Sequence, residues 1–349
     1  VCIATNQAEQ GFELLPFFCP VEPAIHPAVA EIEARAVAWL ERAALPGIEH
    51  KRLFATNSAE FFCRFAPGGV THNVLAACLW VYWGFAFDDT RCDSGELSAD
   101  PVAFLPMATA VQQALDSPVR TTSADPYAVA LNDIGARFRG CATPVQVHRF
   151  AQAHRRWLLA VAWQIANRAE NRVPDVDDYL LMRLGTCGGP PTMAMLEIAQ
   201  GEEVPAHEMD SPRVRALTDC ACLVAALDND LHSYRKERLL GQTDQNLVTV
   251  LQTAGADLES AVRQAVAIRD RLMVLFLALS DSVRRRASSA LKSYVDGLAH
   301  AIRGNLDWAL RTPRYQVLGS PGWSESPVDG RLEPLPYPTV AWWWGELRS

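Results

Sequence analysis

The sequence is short of basic charge: 32 Lys and Arg stand against 40 Asp and Glu, for a net charge of −8. Nucleic-acid recognition wants a basic surface, so neither DNA nor RNA is an expected partner, and any anion must be handled locally by metal or by clustered Arg and Lys. Strand signals are scarce, with no alternating apolar runs closed by hairpin turns. The nine cysteines contain no CxxC pair, Cys220 and Cys222 being the nearest neighbours, so reduced thiols are expected rather than a disulfide framework. No stretch reaches the roughly 20 uncharged apolar residues of a membrane span. The richest one, Val74 to Phe87, is interrupted by Gly84 and followed by acid. The first residues lack a basic region ahead of a long apolar core, so no signal peptide is evident and a cytoplasmic location is expected. There is no GxxxxGK phosphate loop and no internal repeat. No histidine follows a Glu by three residues, the pairing that a di-iron carboxylate bundle would need.

What is present is globular and helical. Hydrophobic residues make up 49% of the 349, enough for a large core. Apolar residues recur with helical period from Pro27 to Ala44, where Ile32, Ala36, Trp39 and Leu40 alternate with charged positions. Thr71 to Phe87 is apolar nearly all round, as a central bundle helix would be. The segments 101–116, 126–140 and 144–169 each open on Pro, which suits the first turn of a helix. Further helices are expected over 57–65, 176–184, 191–201, 211–239, 246–253, 258–279 and 283–312. These readings predict an all-α, single-domain protein. An extended segment occupies residues 1–24, and a Pro-, Gly- and Ser-rich irregular tail follows from 316 to 349. Between two helices, Gly185, Gly188 and Gly189 with Pro190 and Pro191 must break the chain's helical course. Such a break frees backbone carbonyls.

Two acidic stations carry the chemistry. The long apolar helix ends in Asp88-Asp89-Thr90-Arg91-Cys92-Asp93. Adjacent carboxylates beside aromatic residues repel one another, and a hard divalent cation such as Mg²⁺ relieves that conflict. An isolated acid pair also describes a helix that simply ends in solvent. Farther on, Asn229, Ser233 and Glu237 are spaced by four and four, so they rise along one helical face. They offer an amide oxygen, a hydroxyl and a carboxylate, a donor set suited to one Mg²⁺. Lys236 beside them could meet a phosphate as a point charge.

Together these stations resemble those of the bacterial class I terpene synthases, or terpene cyclases. The aspartate-rich motif of that family is similar to Asp88 through Asp93. Its Asn-Asp-x-x-Ser-x-x-x-Glu motif is matched by Asn229, Asp230, Ser233 and Glu237, with Lys at 236. Arg183 stands where the family has a diphosphate-sensing Arg, and Arg314-Tyr315 matches its terminal Arg-Tyr pair. The resemblance implies an antiparallel helical bundle of the class I terpenoid synthase fold, whose central cavity holds an isoprenoid diphosphate and three Mg²⁺. It implies Asp88, Asn229, Ser233 and Glu237 as metal ligands, and Arg183, Lys236, Arg314 and Tyr315 as diphosphate contacts. Phe61, Phe85 and Trp308 would face the cavity to stabilise a carbocation, whereas Trp80, Trp83 and Phe87 are expected to pack in the core. Thr186 takes the family's linker position and the Cys187 carbonyl its effector position. The resemblance leaves room for a homodimer.

The sequence departs from the pattern twice. Cys92 occupies the place of the third acid in the shorter motif, so Asp93 arrives one residue late. Thr186 replaces a frequent Asp. Asp89 is expected to pair with an Arg, either Arg183 or Arg314. The implied reaction is Mg²⁺-dependent ionisation of an acyclic C15 or C20 diphosphate followed by cyclisation. The alternatives are a prenyl-chain transferase, which usually carries two aspartate-rich motifs, and a non-catalytic helical scaffold.

Overall fold

The Pro-led helices start where a polar residue stands just ahead of the Pro. At the start of the helix Pro101–Asp116, Asp100 accepts hydrogen bonds from the Val102 and Ala103 amides, and ahead of Pro126–Cys141 Asp125 accepts from the Tyr127 amide. Thr143 and Gln146 close a reciprocal capping box on the helix Pro144–Ala169. The computed structural model describes residues 15–240, 245–316 and 322–348, and within them all side chains except those of 235, 236, 239, 240, 314 and 316.

In chain order the helices are α1 (Val29–Ala43), α2 (His50–Phe54), α3 (Ser58–Phe65), α4 (Thr71–Phe87), α5 (Pro101–Asp116), α6 (Pro126–Cys141), α7 (Pro144–Ala169) and α8 (Val176–Thr186). They continue as α9 (Gly189–Gln200), α10 (Ala206–Met209), α11 (Pro212–Leu240), α12 (Leu247–Thr253), α13 (Leu258–Arg284), α14 (Ser289–Ala309), α15 (Pro313–Gln316) and α16 (Pro338–Ala341). The fold is an all-α bundle. Among the described residues no helix is long and apolar enough to cross a membrane. The largest departures from the expected boundaries fall between two late helices. α13 runs on to Arg284, and α14 begins only at Ser289, because the Ser288 hydroxyl caps it through the Leu291 amide. The short α2 carries no periodic signal of its own and was not expected.

Two helices form the centre. α4 packs against α1, α3, α6 and α9, and α11 against α8, α9, α13 and α14. This explains why α4 is apolar on every side. α8 ends at Thr186 and α9 restarts at Gly189, with Gly188 between them at φ +67°, a conformation that favours glycine. Gly185 lets α8 approach α7: a Cβ there would lie 2.3 Å from the Ala160 Cβ.

The two terminal segments are clasped to the back of α11. Phe17–Phe18 (β1) pairs in parallel with Trp323–Ser324 (β2). Arg269 of α13 is fully buried and bonds Asp228 of α11 at 2.6 Å, and it also donates to the Phe18 carbonyl. Asp270 accepts the Phe18 amide at 3.2 Å and the Val328 amide at 2.8 Å. Farther along the tail, Trp343 and Trp344 are buried in a 3₁₀ turn, 342–347, that packs on α11 and α13. The segment read as irregular thus includes β2, α16 and this turn.

Removing one partner of a buried ion pair leaves an uncompensated charge, which typically costs about 3–5 kcal/mol. Arg269→Met is expected to lower stability by about that amount, measured as a reduced midpoint of denaturant unfolding. An unshifted midpoint would show that the Asp228–Arg269 pair does not hold the clasp.

Candidate active site

A cavity of about 630 Å³ opens between α4 and α11, within the usual range for small-molecule sites. Both acidic stations line it: Asp88 and Asp93 at the end of α4, and Asn229, Ser233 and Glu237 on α11. The first station depends on a local irregularity. Residues Asp88–Cys92 form a π-helical turn, closed by a bond from the Asp93 amide to the Asp88 carbonyl at 2.9 Å. Such a turn takes one residue more than an α-helical turn. The extra residue before the third acid is thereby absorbed, and Asp93 shares the cavity with Asp88. The Cys92 side chain is buried instead.

Asp89 is turned out of the cavity lining and bonds Arg52 at 3.3 Å. The expected pairing with Arg183 is not what the structure has, because Arg183 is engaged by Asp230 at 2.8 Å. Arg52 lies on α2, far from any motif, and nothing in the sequence marked it. The side chains of Arg314 and Lys236 lie outside the described residues.

Around Arg183 the polar groups interlock. Its Nη2 also donates to the Asn229 Oδ1 at 2.8 Å, and the Asn229 Nδ2 donates to the Tyr315 hydroxyl at 2.7 Å. The Tyr179 hydroxyl donates to Asp230; Tyr179 is four residues before Arg183, one turn away on the same helix. Burial pushes Arg183 towards neutrality, but the Asp230 carboxylate outweighs it and holds the guanidinium above its ordinary pKa. Burial pushes the Glu237 carboxyl up to about 7, only partly opposed by hydrogen bonds from Ser233 and Asn246 and by the charge of Arg183.

Among the described residues no three His, Cys, Asp or Glu side chains gather as a single metal cluster. The oxygen donors come as a carboxylate pair on one wall and an amide, a hydroxyl and a carboxylate on the other. This set fits a hard divalent cation. A cation would also relieve the raised Glu237, and the Asn229 amide oxygen has two lone pairs, so accepting from Arg183 does not exhaust it.

Below this polar mouth the wall is aromatic. Phe61 and Trp308 meet edge to face at 4.9 Å, and Phe85 stacks on Trp308 at 5.7 Å. The Trp308 indole is fixed by a 2.7 Å bond to the Thr56 carbonyl. Tyr315 packs edge-on against Trp308 and stacks on His232. Trp80, expected to pack in the core, lines the cavity with Trp157 beside it. Trp83 and Phe87 stack on each other at 4.8 Å, away from the cavity lining. Phe65, Trp157, Asn305 and Arg168 also line the cavity and went unnoticed in the sequence. The signal for two of them was there: Phe65 is four residues after Phe61, and Asn305 three before Trp308, on the same helical faces. Thr186 and Cys187 line the cavity at the helix break. The Thr186 hydroxyl is buried without a hydrogen-bond partner among the described residues. The Cys187 sulfur accepts from the Gly189 amide.

Residues 79–274 match the family model described as terpene synthase family 2, C-terminal metal binding. The chain is 47% identical to spiroviolene synthase of Streptomyces violens, over 96% of this chain and 97% of that protein. It is 36% identical to tsukubadiene synthase of Streptomyces tsukubensis, over 95% of this chain and 99% of that one. A crystal structure of a protein from ancestral sequence reconstruction superposes with a TM-score of 0.89 at 49% identity, covering 96% of this chain and 99% of the other.

Asp88→Ala and Glu237→Gln are each expected to remove nearly all turnover while circular dichroism shows the helical fold intact. Normal turnover by either variant would take that residue out of the metal-binding set.

Proposed function

This chain belongs to the bacterial class I terpene synthases and is a terpene cyclase, a carbon–oxygen lyase; we propose that it ionises an acyclic C15 or C20 isoprenoid diphosphate between its two acidic stations and folds the resulting cation against the aromatic wall. The observation that carries this reading is the convergence of Asp88 and Asp93 with Asn229, Ser233 and Glu237 on one cavity whose deeper wall is Phe61, Phe85, Trp80 and Trp308. An anionic head needs the first feature and a hydrocarbon chain the second.

Divalent cations bound by these residues, proposed to be three Mg²⁺, would supply the positive charge that lets diphosphate depart. The protein's own groups do the rest. Arg183 is held charged by Asp230 and faces the cavity, where it stabilises negative charge as it builds on the leaving oxygen. Tyr315 adds a hydroxyl whose position Asn229 fixes. Lys236 and Arg314 complete the diphosphate contacts by their place in the motifs. The carbon–oxygen bond breaks with its electron pair going to the diphosphate oxygen, which leaves an allylic cation on carbon. Aromatic faces stabilise such a cation by about 0.5–2 kcal/mol each. Thr186 links the sensing Arg183 to the helix break. The Cys187 carbonyl, at a helix end where carbonyls lack intrahelical partners, presents its dipole to the developing charge.

Incubation with Mg²⁺ and, separately, the C10, C15, C20 and C25 diphosphates is expected to give a cyclic product from C15 or C20, together with released diphosphate. Chain elongation on adding a C5 diphosphate would indicate a prenyl transferase instead. Trp308→Leu is expected to change the product distribution more than the metal dependence. An unaltered distribution would return Trp308 to plain packing.

A further inference from the structure

We propose that Arg168 is a positioning residue for the aspartate station: it pins the Cys92–Asp93 peptide so that Asp88 and Asp93 address the same cation. Arg168 lies in the last turn of α7 and lines the cavity beside both carboxylates. Its Nη1 donates to the Cys92 carbonyl at 2.8 Å and to the Ser98 carbonyl at 2.7 Å. The first acceptor belongs to the peptide bond that carries Asp93. The second belongs to the 3₁₀ turn Glu96–Ala99, which follows the aspartate turn. One nitrogen thus bridges both ends of the connection between the aspartates and α5.

The clamp answers a specific weakness. The last carbonyls of a helix have no intrahelical partner, and a π-helical turn is the less common arrangement. Without an external donor, the chain at Asp93 could tighten to α-helical spacing and rotate that carboxylate off the face it shares with Asp88. Arg168 supplies the donor, and its positive charge stands beside two carboxylates that repel each other. The clamp itself is anchored. α7 ends in a turn where the Arg172 amide bonds the Asn167 carbonyl at 2.8 Å and Asn171 takes φ +51°, the pattern of a Schellman stop. The last turn of α7 is therefore fixed in direction, and Arg168 with it. The arrangement matches a general rule for metal sites, that groups behind the ligands orient them, and loss of such a group typically costs about 10–100-fold in metal affinity.

The proposal rests on Asp88 and Asp93 being metal ligands, and the test separates the two claims. The Mg²⁺ concentration for half-maximal turnover is measured in the unsubstituted enzyme, in Arg168→Met, in Asp93→Asn and in the double variant, with kcat taken at saturating Mg²⁺ and melting temperature recorded without metal. Arg168→Met is expected to raise the half-saturating Mg²⁺ about 10-fold or more with a smaller loss of kcat. Arg168→Lys, which keeps the charge but not the planar fork, is expected to fall between. In the Asp93→Asn background the Arg168 substitution is expected to add little, because it acts through Asp93. Fully multiplied effects, or a loss of kcat with unmoved Mg²⁺ dependence, would overturn the positioning role. An unmoved Mg²⁺ dependence in Asp93→Asn alone would remove Asp93 from the ligand set and the proposal with it. If Arg168→Met does not fold, the same cycle run with Arg168→Lys decides.

Discussion

Three consecutive residues of α11, Asp228, Asn229 and Asp230, set the problem that the surrounding structure solves. Two are carboxylates with almost no exposure, and a buried carboxylate is tolerable only when paired. Each is met by an arginine from a different helix, Asp228 by Arg269 of α13 and Asp230 by Arg183 of α8. The two pairs point to different sides of α11 and so oppose its rotation about its own axis. Asn229 between them is left facing the cavity, with Ser233 and Glu237 one and two turns farther along the same face. The face that carries the proposed metal ligands is thus aimed by two ion pairs, Asp228–Arg269 and Asp230–Arg183. The same arrangement ties α8, and with it the helix break at Cys187 and Gly188, to this face of α11.

Much of this was legible in the sequence, for a reason that lies in the helix itself. Spacings of four on one helix fix a common face, so Asn229, Ser233 and Glu237 could be read directly. The apolar character of α4 on every side likewise announced a central helix. The aspartate station was harder. Its six residues read as one too many, because a π-helical turn changes the period locally and no composition rule flags it. Asp89 shows the other limit: its partner Arg52 sits on a five-residue helix with no motif around it, and only the tertiary fold brings the two together. Trp80 shows a related limit: it packs in the core, as expected, and also lines the cavity. Along a helix apolar on every side, periodicity cannot tell the face that meets a neighbour from the face that meets a void.

The aromatic residues divide the labour accordingly. Trp83 and Phe87 stack within the core and stiffen the end of α4 that bears the aspartates. Phe61, Phe85 and Trp308 come from three different helices to make one wall. The Trp308 indole is pinned by its hydrogen bond to Thr56, so the wall presents ring faces in a set orientation. Such a wall presents polarisable ring surface to the cavity.

The clasp of β1 with β2 has a bearing on biogenesis. Asp270 takes one amide from Phe18 and another from Val328. During synthesis Phe18 emerges well before Asp270, and Val328 well after it. The nascent polypeptide can therefore assemble the bundle while one side of Asp270 still awaits its donor, and the back of α11 is sealed only after the ribosome has delivered the final strand.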